Sequence, residues 1–402
     1  MRGGESTSKT SSEMTVQHKI AMIENTDFRD DLQGGVQIYA RDLSYALEDL
    51  GKEVVRFGIN AFGRKAEKGE EFIAEKRVSN FRFLALLFKT AIRLRRDPPW
   101  IVHAHRPEQI VPFILSGKKK ATLICSMHGP ARIAVYRNKG RLVGVTYSVL
   151  ELLGLIISDA VTFTDHRTRR KYIERYPWLD AKSEIIPGAV SSIFFERRSK
   201  DQIDLTRFGI SRHEKVICYI GRLEKGKNVN LIIKAFSRIA EVNKCCKLAI
   251  AGDGSLRGDL EQSTRELGLI GKVLFLGQLS RNDIRDLLGR SEALILASTG
   301  EGSPLVVREA LASGAKVVSP DVGDVGELIR DETFGQIVSD RSEKSIAEGI
   351  LRVIEANSGR VPIAYSREFS WAHIAEKMNE TYSNAVKKKL TKESYGGPKN
   401  EE

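Results

Sequence analysis

Apolar residues along this chain fall into two rhythms that alternate. Compact apolar runs, KIAMIE (19–24), EVVRFGI, WIVHAH, ATLICSMH, DAVTFT and SEIIPGAV, read as strands buried on both faces. Between them lie segments whose apolar residues recur at helical spacing. GGVQIYARDLSYALEDLG (34–51) places Val36, Tyr39, Leu43, Ala46, Leu47 and Leu50 on one face and ends on a glycine stop. After a polar stretch, 191–214, the alternation restarts with KVICYIG (215–221), KLAIAG (247–252), KVLFLG (272–277), EALILAS (292–298) and AKVVS (315–319). Helices are predicted to follow from about Asn228 and about Ser255, and again after the third and fourth of these runs. Strand and helix in turn predict α/β architecture with parallel sheets. The expected layout is two doubly wound, Rossmann-like domains facing across a cleft, residues 18–190 and 191–365, with helices at 341–356 and 366–388. Residues 1–17 and 389–402 read as disordered extensions.

Composition agrees with two cores. The chain has 402 residues, 41% apolar and 29% charged, which suits a soluble globular protein of more than one domain. The first seventeen residues lack the apolar segment of a signal peptide, so a cytoplasmic location is expected. Cys125, Cys218, Cys245 and Cys246 fit no zinc spacing and read as small buried thiols in a reducing compartment. Residues 142–158 carry one charge, Glu151, and fall short of the ~20 residues that span a bilayer. They predict a buried or interfacial helix.

Charge placement adds a partner. Net charge is +12, and residues 81–175 alone hold eighteen Lys/Arg against six Asp/Glu, the whole excess of the chain. One face of the first domain must therefore carry a positive field, suited to a phospholipid surface, a phosphorylated acceptor or nucleic acid. FRFLALLFKTAIRLRR (81–96) mixes apolar and basic residues at helical spacing, and residues 81–96 and 132–175 are the candidate contacts with an anionic membrane surface. Such a helix can lie on an anionic membrane, or can pack in a core with a basic outer face. Nucleic acid is disfavoured, because no exposed aromatics interleave with the basic residues and no known module is visible.

Candidate chemistry sits where strands give way to helices. Gly34 and Gly35 precede the first helix, where glycine lets a ligand approach free backbone N–H groups. GRLEKGKN (221–228) sets Arg222 and Lys227 on a strand-to-helix loop, a guanidinium fork and a mobile ammonium for phosphate. AGDGSLRGDLE (251–261) makes a second tight turn around Gly252. Neither a nicotinamide GxGxxG with its ribose acid nor a GxxxxGK[ST] loop is present. No Asp-x-Asp, HExxH or His/Cys cluster suggests a metal. In STGEGSPLVVREALASG (298–314), Glu301 and Glu309 stand eight residues apart. If both were helical they would be separated by about 12 Å, too far for the ~5 Å of a retaining glycosidase pair. Pro304 suits a helix start, so Glu301 should precede the helix and Glu309 lie a turn inside, each touching a different part of one extended ligand.

Taken in order, GGVQIYARDLSYALEDLG, IVHAH, SMHGP, GRLEKGKN, AGDGSL, the Glu-x7-Glu block, PDVGDVGELI and FSWAHIAEKM resemble retaining glycosyltransferases of family 4, with the GT-B fold, over roughly 18–385. The resemblance implies sugar transfer from a nucleoside diphosphate sugar with retention and without a metal or other cofactor. It places Gly35 near the diphosphate, His128 by the donor sugar, and Arg222 with Lys227 on the diphosphate. Glu301 would meet the sugar hydroxyls and Glu309 the nucleotide ribose, while Ser303, Pro304, Leu305 and Val306 bring backbone amides near phosphate. It also implies that the last helix crosses back onto the first domain. The expected acceptor is lipid-linked or phosphorylated, in polysaccharide or glycolipid assembly at the inner membrane face. The alternatives are a soluble transferase using a small acceptor such as a sugar phosphate, and a non-catalytic donor-binding or nucleic-acid-binding protein. Two departures stand out: IPGAVS, with Gly188, Ala189 and Ser191, replaces the family's Ile-Pro-Asn-Gly-Val-Asp, and Gly323-Asp324-Val325-Gly326-Glu327 replaces Gly-Gly-x-Pro-Glu. Arg308 is often apolar in relatives.

Overall fold

A computed structural model describes residues 18–29, 35–94, 100–116, 121–129, 131–356, 359–362 and 368–395. The predicted N-terminal extension 1–17 and Gly34 lie outside them. The first half contains Lys19–Ile23 (β1), Gly35–Asp49 (α1), Val54–Ile59 (β2), Glu70–Ala74 (β3), Asn80–Leu94 (α2), Trp100–Ala104 (β4), Ala121–Met127 (β5), Ala131–Ile157 (α3), Ala160–Phe163 (β6), His166–Arg175 (α4) and Ser183–Ile185 (β7). The second contains Lys215–Ile220 (β8), Val229–Val242 (α5), Cys246–Ala251 (β9), Arg257–Glu266 (α6), Val273–Gly277 (β10), Arg281–Arg290 (α7), Ala293–Ile295 (β11), Leu305–Ser313 (α8), Lys316–Pro320 (β12), Val325–Leu328 (α9), Gly335–Val338 (β13) and Glu343–Glu355 (α10). Trp371–Tyr395 (α11) closes the described chain.

Both sheets are parallel and doubly wound, in the orders β3-β2-β1-β4-β5-β6-β7 and β10-β9-β8-β11-β12-β13. Each reverses its strand order beside its first strand, between β1 and β4 and between β8 and β11, where ligands of open α/β sheets bind. The expected fold class is what the chain adopts. Each sheet is covered on both faces. α2, α3 and α4 seal one face of the first sheet, and α1 with α11 seal the other. In the second half, α5 and α10 cover one face while α7, α8 and α9 cover the other. The buried stripe of α5 (Val229, Ile232, Ile233, Phe236, Ile239, Ala240) shows why its sequence is helical: its apolar positions recur three and four apart.

The last helix does cross back, but it is longer than predicted. α11 buries Ile374, Ala375, Met378 and Tyr382 against α1 and the first sheet. It then runs through Tyr395, so residues 389–395 are not the expected disordered tail. Lys389 anchors this part of the helix: its ammonium donates to the Ala121 carbonyl at the start of β5 and lies 3.2 Å from Asp159, just before β6. The expectation for the thiols needs one correction, since Cys245 is exposed while the other three are buried.

The apolar segment 142–158 belongs mostly to α3, which breaks helical geometry at Gly140 (φ 82°). Its inner side sends Glu151 to the Tyr172 hydroxyl at 2.6 Å. Its outer side leaves Leu142, Val145, Val149, Leu153 and Ile156 exposed in a single helical stripe.

Candidate active site between the two sheets

The strand ends of the two sheets face one cleft of about 860 Å³. Gly35 lines it after β1 and His128 after β5; Arg222 and Lys227 follow β8, Gly252 follows β9, and Glu301 follows β11. Ser303, Pro304, Leu305, Val306 and Glu309 line the same cleft at the start of α8. Every described residue that the sequence proposed for donor binding or catalysis thus borders one hollow. Pro304 stands just before α8, so Glu309 lies in its second turn, as the spacing predicted.

Hydrogen bonds lock these loops to one another. The β8 loop ends in a short 3-10 turn, Lys225–Lys227, that closes on Asn228 in left-handed geometry (φ 55°). The Gly226 carbonyl in that turn accepts from Thr299 N at 3.0 Å, tying it to the Glu301 loop. The β8 and β9 loops meet at Gly252 (φ 127°), where a Cβ would fall 2.0 Å from the Gly221 carbonyl oxygen. Glycine is required there by both conformation and space.

The charges are already paired. Lys227 Nζ lies 2.5 Å from Glu301 Oε1, and Arg222 reaches Glu224 at 2.7 Å from an exposed position. The expectation assigned Lys227 to diphosphate and Glu301 to sugar; without a ligand the two satisfy each other. Glu309 has a different environment. Burial pushes its carboxyl up to about 7, Arg281 draws it down, and Asp42 pushes it up again. Arg281, at the start of α7, and Asp42, on α1, are themselves 2.9 Å apart and join the two halves across the cleft. Arg167 on α4 and Asp321 after β12 make a second such link. Sequence reasoning missed Asp42 and Arg281, because nothing local relates residues so far apart.

Packing under the site accounts for part of each sequence departure, at Gly188 and at Asp324. Gly188 lies against Leu305, where a Cβ would come within 2.5 Å of a leucine methyl. A larger residue there would have to displace the Leu305 side chain at the start of α8. Two residues on, Val190 N donates to the Phe369 carbonyl at 2.7 Å, so the two interdomain crossings run side by side. Arg308 turns into the interior, not into the cleft. Its guanidinium pairs with Asp324, donates to Ser303 Oγ at 2.6 Å and stacks on Phe369. Ser303 Oγ also donates to Asp324 at 2.9 Å, and Asp324 N reaches the Gly302 carbonyl at 3.2 Å. Arg308 and Asp324, unusual separately, form one buried clasp beneath the Gly302–Ser303 loop.

Residues 33–192 match the family model of Glycosyltransferase Family 4, and residues 202–369 match that of Glycosyl transferases group 1. Over 393 residues the chain is 25% identical to an uncharacterized glycosyltransferase of Methanocaldococcus jannaschii, covering 92% of this chain and 98% of that one. It is 27% identical over 212 residues to alpha-monoglucosyldiacylglycerol synthase of Streptococcus pneumoniae, covering 51% of this chain and 48% of that protein. Among solved structures, sucrose-phosphate synthase from Thermosynechococcus elongatus superposes with a TM-score of 0.76 at 20% identity, over 92% of this chain and 99% of that one. Anabaena HepE in complex with UDP-glucose superposes with a TM-score of 0.72 at 18% identity, over 91% and 99% of the two chains. At these identities the two structures speak for the fold, which is GT-B. With its two halves matched in order by the two family models, the chain belongs to the family 4 type of glycosyltransferase.

Proposed function

We propose that the protein transfers a sugar from a nucleoside diphosphate sugar, with retention at the anomeric carbon, to an anionic or lipid-linked acceptor. The observation that carries this is the convergence of Arg222, Lys227, Glu301, Glu309 and His128 on one cleft between two sheets. The relative solved with UDP-glucose has the same fold, which supports a nucleotide sugar as donor. On binding, the Lys227 ammonium would leave Glu301 for the diphosphate, and the freed carboxylate would accept from sugar hydroxyls. Arg222 and the amides at the start of α8 would share the leaving charge. No carboxylate is needed as a covalent nucleophile: same-face attack lets the leaving phosphate oxygen take the acceptor proton. The cations and helix start neutralise the diphosphate in this reading, so no divalent ion is required.

The acceptor side lies in the first half, where Asn25, Arg77 and Arg106 line the cleft. On the outside, α3 exposes its apolar stripe and Arg141, α4 exposes Arg170 and Lys171, and α2 exposes Phe81, Arg82, Ile92 and Arg93, the last paired with Glu71. A 3-10 stretch, Pro107–Ser116, packs against both helices and exposes Ile114. Exposed apolar side chains together with exposed cations in this half suit an anionic bilayer at the inner membrane face, which would also present a lipid-linked acceptor. A soluble enzyme acting on a small sugar phosphate would have no use for the stripe.

Three outcomes follow. Lys227→Met should lower transfer about 100- to 1,000-fold, the usual loss when one charge-stabilising donor is removed; turnover near wild type refutes the assignment. Ionised Glu309 is the form that accepts ribose hydroxyls, so UDP-glucose affinity should rise about tenfold per pH unit as pH approaches 7 and flatten above it. Glu309→Gln should abolish that slope in calorimetric titrations, and a flat wild-type profile would contradict the ribose role. In flotation assays the protein should rise with phosphatidylglycerol vesicles and not with phosphatidylcholine ones. The double variant Leu142→Glu, Val149→Glu should stay behind; equal flotation in every case would rule out this surface.

A further inference from the structure

Three imidazoles run inward from the cleft wall. His128 lines the cleft, while His105, just beyond β4, and His103, within β4, lie behind it and are 2% and 0% exposed. His105 Nδ1 and His128 Nε2 are 3.1 Å apart. On its other side, His105 Nε2 lies 2.9 Å from the Met22 thioether. A thioether has no proton to give and accepts only weakly, so that contact is attractive only when Nε2 carries the hydrogen. Burial, with His103, His128 and Arg106 all close enough to disfavour a second charge, holds His105 well below the ordinary histidine range. A neutral ring has one N–H. With the proton on Nε2, Nδ1 is a bare lone pair, and the 3.1 Å contact must be donated by His128 Nε2–H. His128 is neutral as well, pushed down to about 3 by burial and by Arg106. Its Nδ1 is therefore unprotonated.

We infer that His105 is a positioning residue, which takes the Nε2–H of His128 and so fixes the tautomer whose Nδ1 accepts a hydrogen bond from a donor-sugar hydroxyl. The ring of His105 is itself held in place. It stacks at 4.5 Å on His103, whose two nitrogens each lie 2.7 Å from a hydroxyl, those of Tyr382 and Ser126. Ser126 continues to Thr162 at 2.6 Å. Tyr39 sets its ring edge-on to His105 and His128, at 5.7 and 4.7 Å. Because Tyr382 lies on α11, the helix that crosses back from the second half holds His103, on which the His105 ring rests. A protonated His128, or its Nδ1–H tautomer, would meet a sugar hydroxyl only as a donor.

The inference deepens the reading of His128 as a sugar contact, but its test reads ring protons of the free protein and stands apart from transfer activity. Protein carrying ring-15N histidine is examined by long-range 15N–1H correlation near neutral pH, with the His128 signal assigned by His128→Gln. His128 should show a protonated Nε2 and a bare Nδ1. His105→Asn sets an amide oxygen near the former Nδ1 and should keep that pattern; His105→Leu offers no acceptor and should lose it, giving mixed tautomers. A wild-type His128 with its proton on Nδ1, or charged, overturns the inference without any variant. So does a His105→Leu protein whose His128 pattern is unchanged.

Discussion

Parallel pairing is the constraint from which the site follows. Every described strand runs parallel to its neighbours, so the carboxyl ends in each sheet lie along one edge. Right-handed crossovers then put each strand-to-helix loop on that edge, with backbone N–H groups turned toward the gap. Two such edges facing one another produce a cleft walled by strand ends, loops and the first turns of helices. Residues from five different strand ends meet there without any local sequence relation among them.

The loops are held by contacts that leave little freedom. Close approach at Gly252, the Thr299–Gly226 bond and the Arg308–Asp324 clasp fix the floor under the charged groups. The clasp is almost fully desolvated, with side chains 2% and 4% exposed. Removing either partner of such a pair costs about 3–5 kcal/mol, because the other is left charged and buried. The charged groups above this floor pair among themselves: Lys227 with Glu301, and Arg281 with Asp42. Both pairs are partly buried, and each holds a cation that a ligand diphosphate or ribose would have to share.

Much of this was legible in the chain because buried parallel strands are written as apolar runs and loop chemistry sits beside them. KIAMIE, KVICYIG and KLAIAG each became a strand, and the segments after them hold Gly35, at the first position of α1, Arg222, Lys227 and Gly252. Two edge strands were not legible. β3 opens with Glu70 and Glu71, and Glu70 is buried only because Arg29 and Arg64 neutralise it. β13, Gly335–Val338, is too short and polar to show a period. The end of α11 depends on Lys389 finding Ala121 and Asp159, which no local pattern encodes. His105 looked like one more strand-end residue in IVHAH; its meaning comes from Met22 and His128, far away in sequence.

The central claim is that one extended ligand spans the cleft, diphosphate at the cations and the α8 start, ribose at Glu309, sugar at Glu301 and His128. A crystal structure with UDP-glucose tests it most directly. The account predicts the diphosphate within hydrogen-bond reach of Arg222 and Lys227, the Lys227–Glu301 pair opened, and both ribose hydroxyls on Glu309. A nucleotide bound elsewhere, or one bound here with Lys227 still on Glu301 and Glu309 untouched, would contradict it.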